Sequence, residues 1–83
     1  MDKIKEEIMK HLENELDDIE AYLEMAKICS ENGHSALGGI FHDIARDEYT
    51  HAMVLYDALG HHDEVPEKVR TMWMDAKSKY HLL

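Results

Sequence analysis

Cysteine occurs once in the chain, at Cys29. A single thiol cannot close an internal disulfide or hold a four-cysteine zinc or iron site, and a reducing, cytoplasmic setting is expected. Basic residues are also scarce. Nine Lys and Arg face 18 Asp and Glu, for a net charge of −9. That balance repels phosphate and argues against a nucleic-acid partner, while it suits the attraction of cations. Long apolar runs are missing: no stretch approaches the roughly 18 residues of a membrane span. The first turns carry charge throughout, unlike a secretory leader. Length is short as well. Eighty-three residues make one domain at most, and so small a chain struggles to bury enough apolar surface alone. Oligomerisation or a bound metal is the usual remedy.

The four glycines and the single proline cluster, and so divide the chain. Asn32-Gly33 is a natural helix stop, because glycine turns left-handed at no steric cost. Gly60, followed by His61, His62 and Asp63, is the second stop, and Pro66 suits a first helical turn. The reading is a single all-α domain over 1–83, with helices at about 2–31, 35–59 and 66–80. Ile4, Ile8, Leu12, Ile19, Leu23 and Ala26 form an apolar stripe at helical spacing on the first. Leu37, Phe41, Ile44, Ala52, Leu55 and Leu59 form one on the second, and Val69, Met72, Trp73, Ala76 and Tyr80 one on the third. Gly38-Gly39 either weakens the second helix or admits a close neighbour. Two long helices on a short turn make an antiparallel hairpin. A hairpin cannot surround a core, so a second hairpin is its obvious complement, with the third helix covering part of the stripe.

The informative residues interrupt the stripes. Glu15 sits between Leu12 and Ile19, and Tyr22 follows two turns later on the same face. On the second helix Glu48 follows Ile44 by four, His51 follows Glu48 by three, and Leu55 resumes the stripe. A buried carboxylate without a partner is costly, and Lys and Arg mostly fall elsewhere. A metal held by Glu15, Glu48 and His51 answers that cost better than an ion-pair network does. A lone Glu-x-x-His is common by chance; the second Glu on the facing helix gives this one weight. His11, one turn before Glu15, and Asp18, three after it, are secondary candidates, although a surface histidine and an edge carboxylate are the plainer readings. Glu20 reads as solvated. His61 and His62 read as polar turn.

Four-helix di-metal sites use one Glu from each of two helices and Glu-x-x-His from each of the other two. This chain supplies half that set, and two copies related by a two-fold axis supply the whole. The stretches Glu15-Leu-Asp-Asp-Ile-Glu-Ala-Tyr22 and Ile44-Ala-Arg-Asp-Glu-Tyr-Thr-His51-Ala-Met resemble the ferritin-like superfamily. The closest likeness is to the encapsulated ferritins, whose chains carry one helix hairpin; the sequence is also similar to the rubrerythrin di-iron domain. The likeness is good from about 13 to 59 and weaker beyond. Asn14 stands where the encapsulated ferritins carry an acidic residue, and Ala21 where they carry tryptophan. The resemblance implies a di-iron centre, one iron per chain in a shared site, with Glu15, Glu48 and His51 as ligands and Tyr22 beside them. Manganese or a mixed pair would suit the same ligands. It also implies ferroxidase activity, a homodimer that associates further into a ring of dimers, and an encapsulin shell as partner and compartment. Two other readings use the same residues: rubrerythrin-like peroxide scavenging, which would need a separate electron donor, and a non-catalytic helical assembly module.

Overall fold

The computed structural model describes residues 2–62 and 65–81. They form three helices, α1 (Asp2–Glu31), α2 (Ser35–His62) and α3 (Glu67–His81), with no strand among the described residues. At 1.5 Å per residue the longest helix spans about 45 Å, in keeping with a molecule 48 × 18 × 14 Å in extent.

Gly33 is the one described residue with positive φ, at 82°. His34 N donates to Cys29 O at 2.8 Å and Gly33 N to Ser30 O at 3.4 Å. This paired cap satisfies the last carbonyls of α1 and reverses the chain. Gly60 does not act in the same way. The expected stop there is overturned, since α2 runs on through His62. Gly60 keeps negative φ, so its backbone continues the helix, and fully buried Leu59 anchors the turn that carries it. Asp63 lies outside the described residues. Pro66 stands just before α3 and accepts from Arg70 N at 3.0 Å.

The core is narrower than the stripes. Leu12, Leu16, Ile19 and Leu23 of α1 meet Ala45, Ala52 and Leu59 of α2. Gly38 joins that seam, seven residues before Ala45. A Cβ on Gly38 would lie 3.0 Å from Ala26 O and 2.9 Å from Ser30 Oγ, so the helices approach closely because this position is glycine. Leu16, absent from the expected stripe, is buried. Ile4 and Leu37, both expected in it, are 59% and 45% exposed. The α2 stripe is in fact two adjacent faces, of which only one meets α1.

Helix α3 covers one flank of the hairpin. Its Lys68 reaches Glu13 at 3.9 Å and its Lys79 reaches Glu20 at 2.8 Å, so it runs parallel to α1. Val69, Trp73 and Ala76 are buried under it. The Trp73 ring stacks on both Tyr49 and Tyr56, at centroid distances of 5.2 and 5.3 Å. Among the described residues nothing covers the opposite flank, where Ile8, Phe41, Ile44 and Leu55 remain half-exposed.

Candidate metal centre

Glu15, Glu48 and His51 converge midway along that open flank. Helical spacing puts Glu48 and His51 one turn apart on α2, and the antiparallel packing brings Glu15 of α1 level with them. One ligand-capable atom from each lies within 4.8 Å of the other two. Among the described residues no other group of three His, Cys, Asp or Glu meets that geometry.

Three observations describe the chemistry. Glu15 Oε2 is shielded from solvent and has no hydrogen-bond donor. His51 Nδ1 stands 3.8 Å from it, too far for a hydrogen bond. The two carboxylates face each other, and Glu48 is pushed up from 4.5 to about 7. The largest cause is the hydrogen bond that protonated Glu48 can give Glu15. Burial comes next, then the Glu15 charge; His51 pulls the other way, and Asp47 adds a little. With both groups ionised neither can donate, so near neutrality the pair holds a proton between them. A divalent cation does the same work with more charge, and two carboxylates with an imidazole are donors that iron and manganese accept.

The remaining candidates lie elsewhere. His11 is exposed and faces Glu7, with Nε2 3.8 Å from Oε2. Asp18 is exposed; neither joins the cluster. Tyr22 is half-buried on the same flank and stacks on Phe41 at 6.1 Å. Glu20 is on the surface as expected, but it is engaged there by Lys79. The backbones of His61 and His62 are in α2. Sequence reasoning placed Glu15 and Glu48 in one site across the hairpin but missed that the two carboxylates are close enough to share a proton. The signal for it was register: once Asn32-Gly33 is taken as the turn, residues equidistant from it fall level.

Compared with known families, the chain matches the rubrerythrin family over residues 6–79. It belongs to that family. Rubrerythrins are ferritin-like di-iron proteins, and membership implies di-iron binding. Of the two likenesses read from the sequence, the match falls on this one, and it extends through α3, where the likeness was weak. No curated protein and no solved structure matches the chain. The residues present fit the metal that the rubrerythrin family implies: an orphaned carboxylate oxygen, a second carboxylate that cannot ionise freely beside it, and an imidazole. They are three candidate ligands, half the set that a pair of metals takes in a four-helix bundle. No helix of the described residues is long and apolar enough to cross a membrane.

Proposed function

We propose that the protein is a di-iron ferroxidase, oxidising Fe(II) to Fe(III) with dioxygen at a site shared by two copies of the chain. The observation that carries this reading is the cluster of Glu15, Glu48 and His51 within 4.8 Å, on a flank that none of the described residues covers. Glu15 and Glu48 would hold each iron with His51, and two chains would supply four carboxylates and two imidazoles. Carboxylates are hard ligands that favour Fe(III), while imidazole retains Fe(II). The balance is two Fe(II), one dioxygen and two protons giving two Fe(III) and hydrogen peroxide. Glu48 gives up its proton on binding iron, so uptake releases acid. Tyr22 stands by the site as a hydrogen-bond partner or electron source. Rings of dimers would follow from further association. Neither a dimer nor an open ring encloses a cavity, so a soluble mineral would need an outer shell such as an encapsulin.

The family match favours a second reading at the same residues, reduction of peroxide. Cys29 alone cannot hold a rubredoxin-like iron, so electrons would come from another protein. One experiment separates the readings. Anaerobic Fe(II) titration should saturate at one tightly bound iron per chain, two per dimer, and the loaded protein is then given dioxygen or peroxide. Faster oxidation by dioxygen supports the ferroxidase; faster oxidation by peroxide supports the alternative. Glu15→Ala, Glu48→Ala and His51→Ala should each abolish oxidation and leave the helical circular dichroism intact. Two tight irons per isolated monomer would sink the shared site, and no binding at all would leave a helical assembly module.

A further inference from the structure

Charge is unevenly divided along the chain. Helix α3 holds four of the nine basic residues, Lys68, Arg70, Lys77 and Lys79, and only two of the 18 acidic ones, Glu67 and Asp75. It is a net-positive helix on a chain of net charge −9. Two of its cations are engaged within the molecule: Lys68 reaches Glu13, and Lys79 reaches Glu20 and Asp75. Arg70 and Lys77 are exposed and have no ion-pair partner among the described residues. They lie two turns apart on one face of α3, with Met74 between them. Met74 is 57% exposed. Met53 of α2, four residues from Tyr49 and three from Tyr56, is 42% exposed on the flank where those two rings stack on Trp73. Met53 and Met74 with Arg70 and Lys77 make a small apolar surface with a basic rim. Exposed methionine adapts to partners of varied shape, and rim charges govern the rate of encounter more than affinity. Those properties suit a brief, weak contact rather than a permanent one.

We propose that this outer face of α3 docks an acidic protein that carries electrons one at a time and returns them to the metal centre. The inference rests on the peroxide-reducing reading, in which electrons come from another protein. Peroxide takes up two electrons and two protons and leaves as two waters. Two reduced carriers, each giving up one electron, then return two Fe(III) to Fe(II). The place suits the purpose. Trp73 precedes Met74, and its ring lies 5.2 Å from that of Tyr49, the residue after Glu48. Packed aromatic contacts therefore lead from the docking face to the residue beside a candidate ligand, away from the open flank. The carrier is acidic because the rim is basic. At long range the whole chain, at −9, would repel it. At about 0.1 M salt, charges more than about 10 Å away are largely screened, so Arg70 and Lys77 decide the contact. A nucleic acid would meet the same two cations, but its continuous charge would run on over the acidic hairpin.

Flavodoxin, an acidic one-electron carrier, serves as the probe. Oxidised flavodoxin is titrated into isotope-labelled, metal-free protein at about 0.1 M salt. Amide shifts should move at Arg70, Met74 and Lys77 and stay fixed along the open flank. Arg70→Glu with Lys77→Glu should weaken binding about tenfold or more while circular dichroism stays helical. Arg70→Gln with Lys77→Gln should fall between, which guards against a charge-reversed chain that fails to fold. Shifts confined to another surface, or charge reversal without effect, would overturn the docking face. A single-stranded oligonucleotide that binds the same amides more tightly than flavodoxin would overturn the choice of partner. Iron-loaded protein, oxidised by peroxide, is then given flavodoxin hydroquinone, and oxidation of the flavin is followed by absorbance. It should slow about tenfold in the charge-reversed variant, while oxidation of bound Fe(II) by peroxide without the carrier is unchanged. Docking on α3 without flavin oxidation would overturn the delivery of electrons. A chain that binds no iron would sink the metal reading and with it the electron route, whereas the amide shifts of the metal-free protein test the face alone.

Discussion

On the flank that α3 covers, the hairpin is finished: Trp73 is 8% exposed and stacked between two tyrosines, and Lys68 and Lys79 tie the edges to α1. On the other flank the same two helices present half-exposed Ile8, Phe41, Ile44 and Leu55 around two carboxylates and an imidazole. Both flanks are apolar at helical spacing. They differ in what their polar atoms have to bond. The closed flank carries its charges at the rim, where water and lysines meet them. The open flank has Glu15 Oε2 shielded from solvent without a donor. A surface that is both apolar and electrostatically incomplete needs a cation and a cover, whereas one that is merely apolar needs only a cover. The third helix supplies the second requirement and not the first, so it sits where it does.

The largest expected effect tests the closed flank. Trp73→Ala removes the ring between Tyr49 and Tyr56, and emptying a buried aromatic position costs about 3–5 kcal/mol. Small domains have little more than that to lose. Urea unfolding should show a greatly lowered midpoint, with α3 the first element to lose hydrogen-exchange protection. The clustered carboxylates on the open flank should respond in the opposite way. Glu48→Gln removes a charge that the fold resists, and the metal-free variant should be at least as stable as the parent. A Trp73→Ala chain as stable as the parent would mean that α3 contributes no core.

A middle-sized effect comes from pH, and it belongs to the open flank alone. Glu48 titrates near 7 in the folded chain against 4.5 ordinarily. Between those values the folded state holds a proton that the unfolded state has lost. Its contribution is therefore present in full below about 4.5 and is lost as pH rises through about 7. Metal-free protein should gain stability on acidification from pH 8 to pH 5, and Glu48→Gln should flatten that slope. Loaded protein should show the reverse, because acid protonates the ligands and releases the metal. Thermal melts at several pH values, with and without chelator, check both directions.

The helices and the grouping of Glu15, Glu48 and His51 were legible from residue spacing, since a three- or four-residue period and a Glu in the stripe of each long helix survive without coordinates. The phase of the core within the stripe was not. Leu16 was left out and Leu37 put in, because an apolar arc wide enough for two neighbours looks like one broad face when read along the chain. Only packing shows that Gly38, Ala45 and Ala52 are the inner seam and that the bulkier Ile40, Ile44 and Val54 lie outside it. Small residues score weakly as hydrophobic, and here their smallness lets α1 approach. Gly60 misled for a related reason. Glycine permits a left-handed stop but does not impose one, and φ at Gly33 alone takes that option.

The smallest expected effect returns to the rim of the closed flank. Glu20 is a surface acid five residues after Glu15, and its carboxylate meets Lys79 Nζ at 2.8 Å. That pairing raises the Lys79 amine above its ordinary value, with Asp75 as the second cause. Both side chains are largely solvated, at 60% and 41% exposure, and exposed pairs of this kind contribute about 0–1 kcal/mol. Lys79 also keeps Asp75 at 3.1 Å, so Glu20→Ala leaves no charge stranded. Its cost should be a few tenths of a kcal/mol, fading further as salt screens the pair. Iron uptake and oxidation should be unchanged, because Glu20 points toward α3 while Glu15 points toward the open flank. Isothermal iron titration and urea melts of Glu20→Ala, at low and high salt, decide the matter. Were this variant to lose its iron, the metal would lie on the α3 side of the hairpin, and the contrast between the two flanks would be inverted.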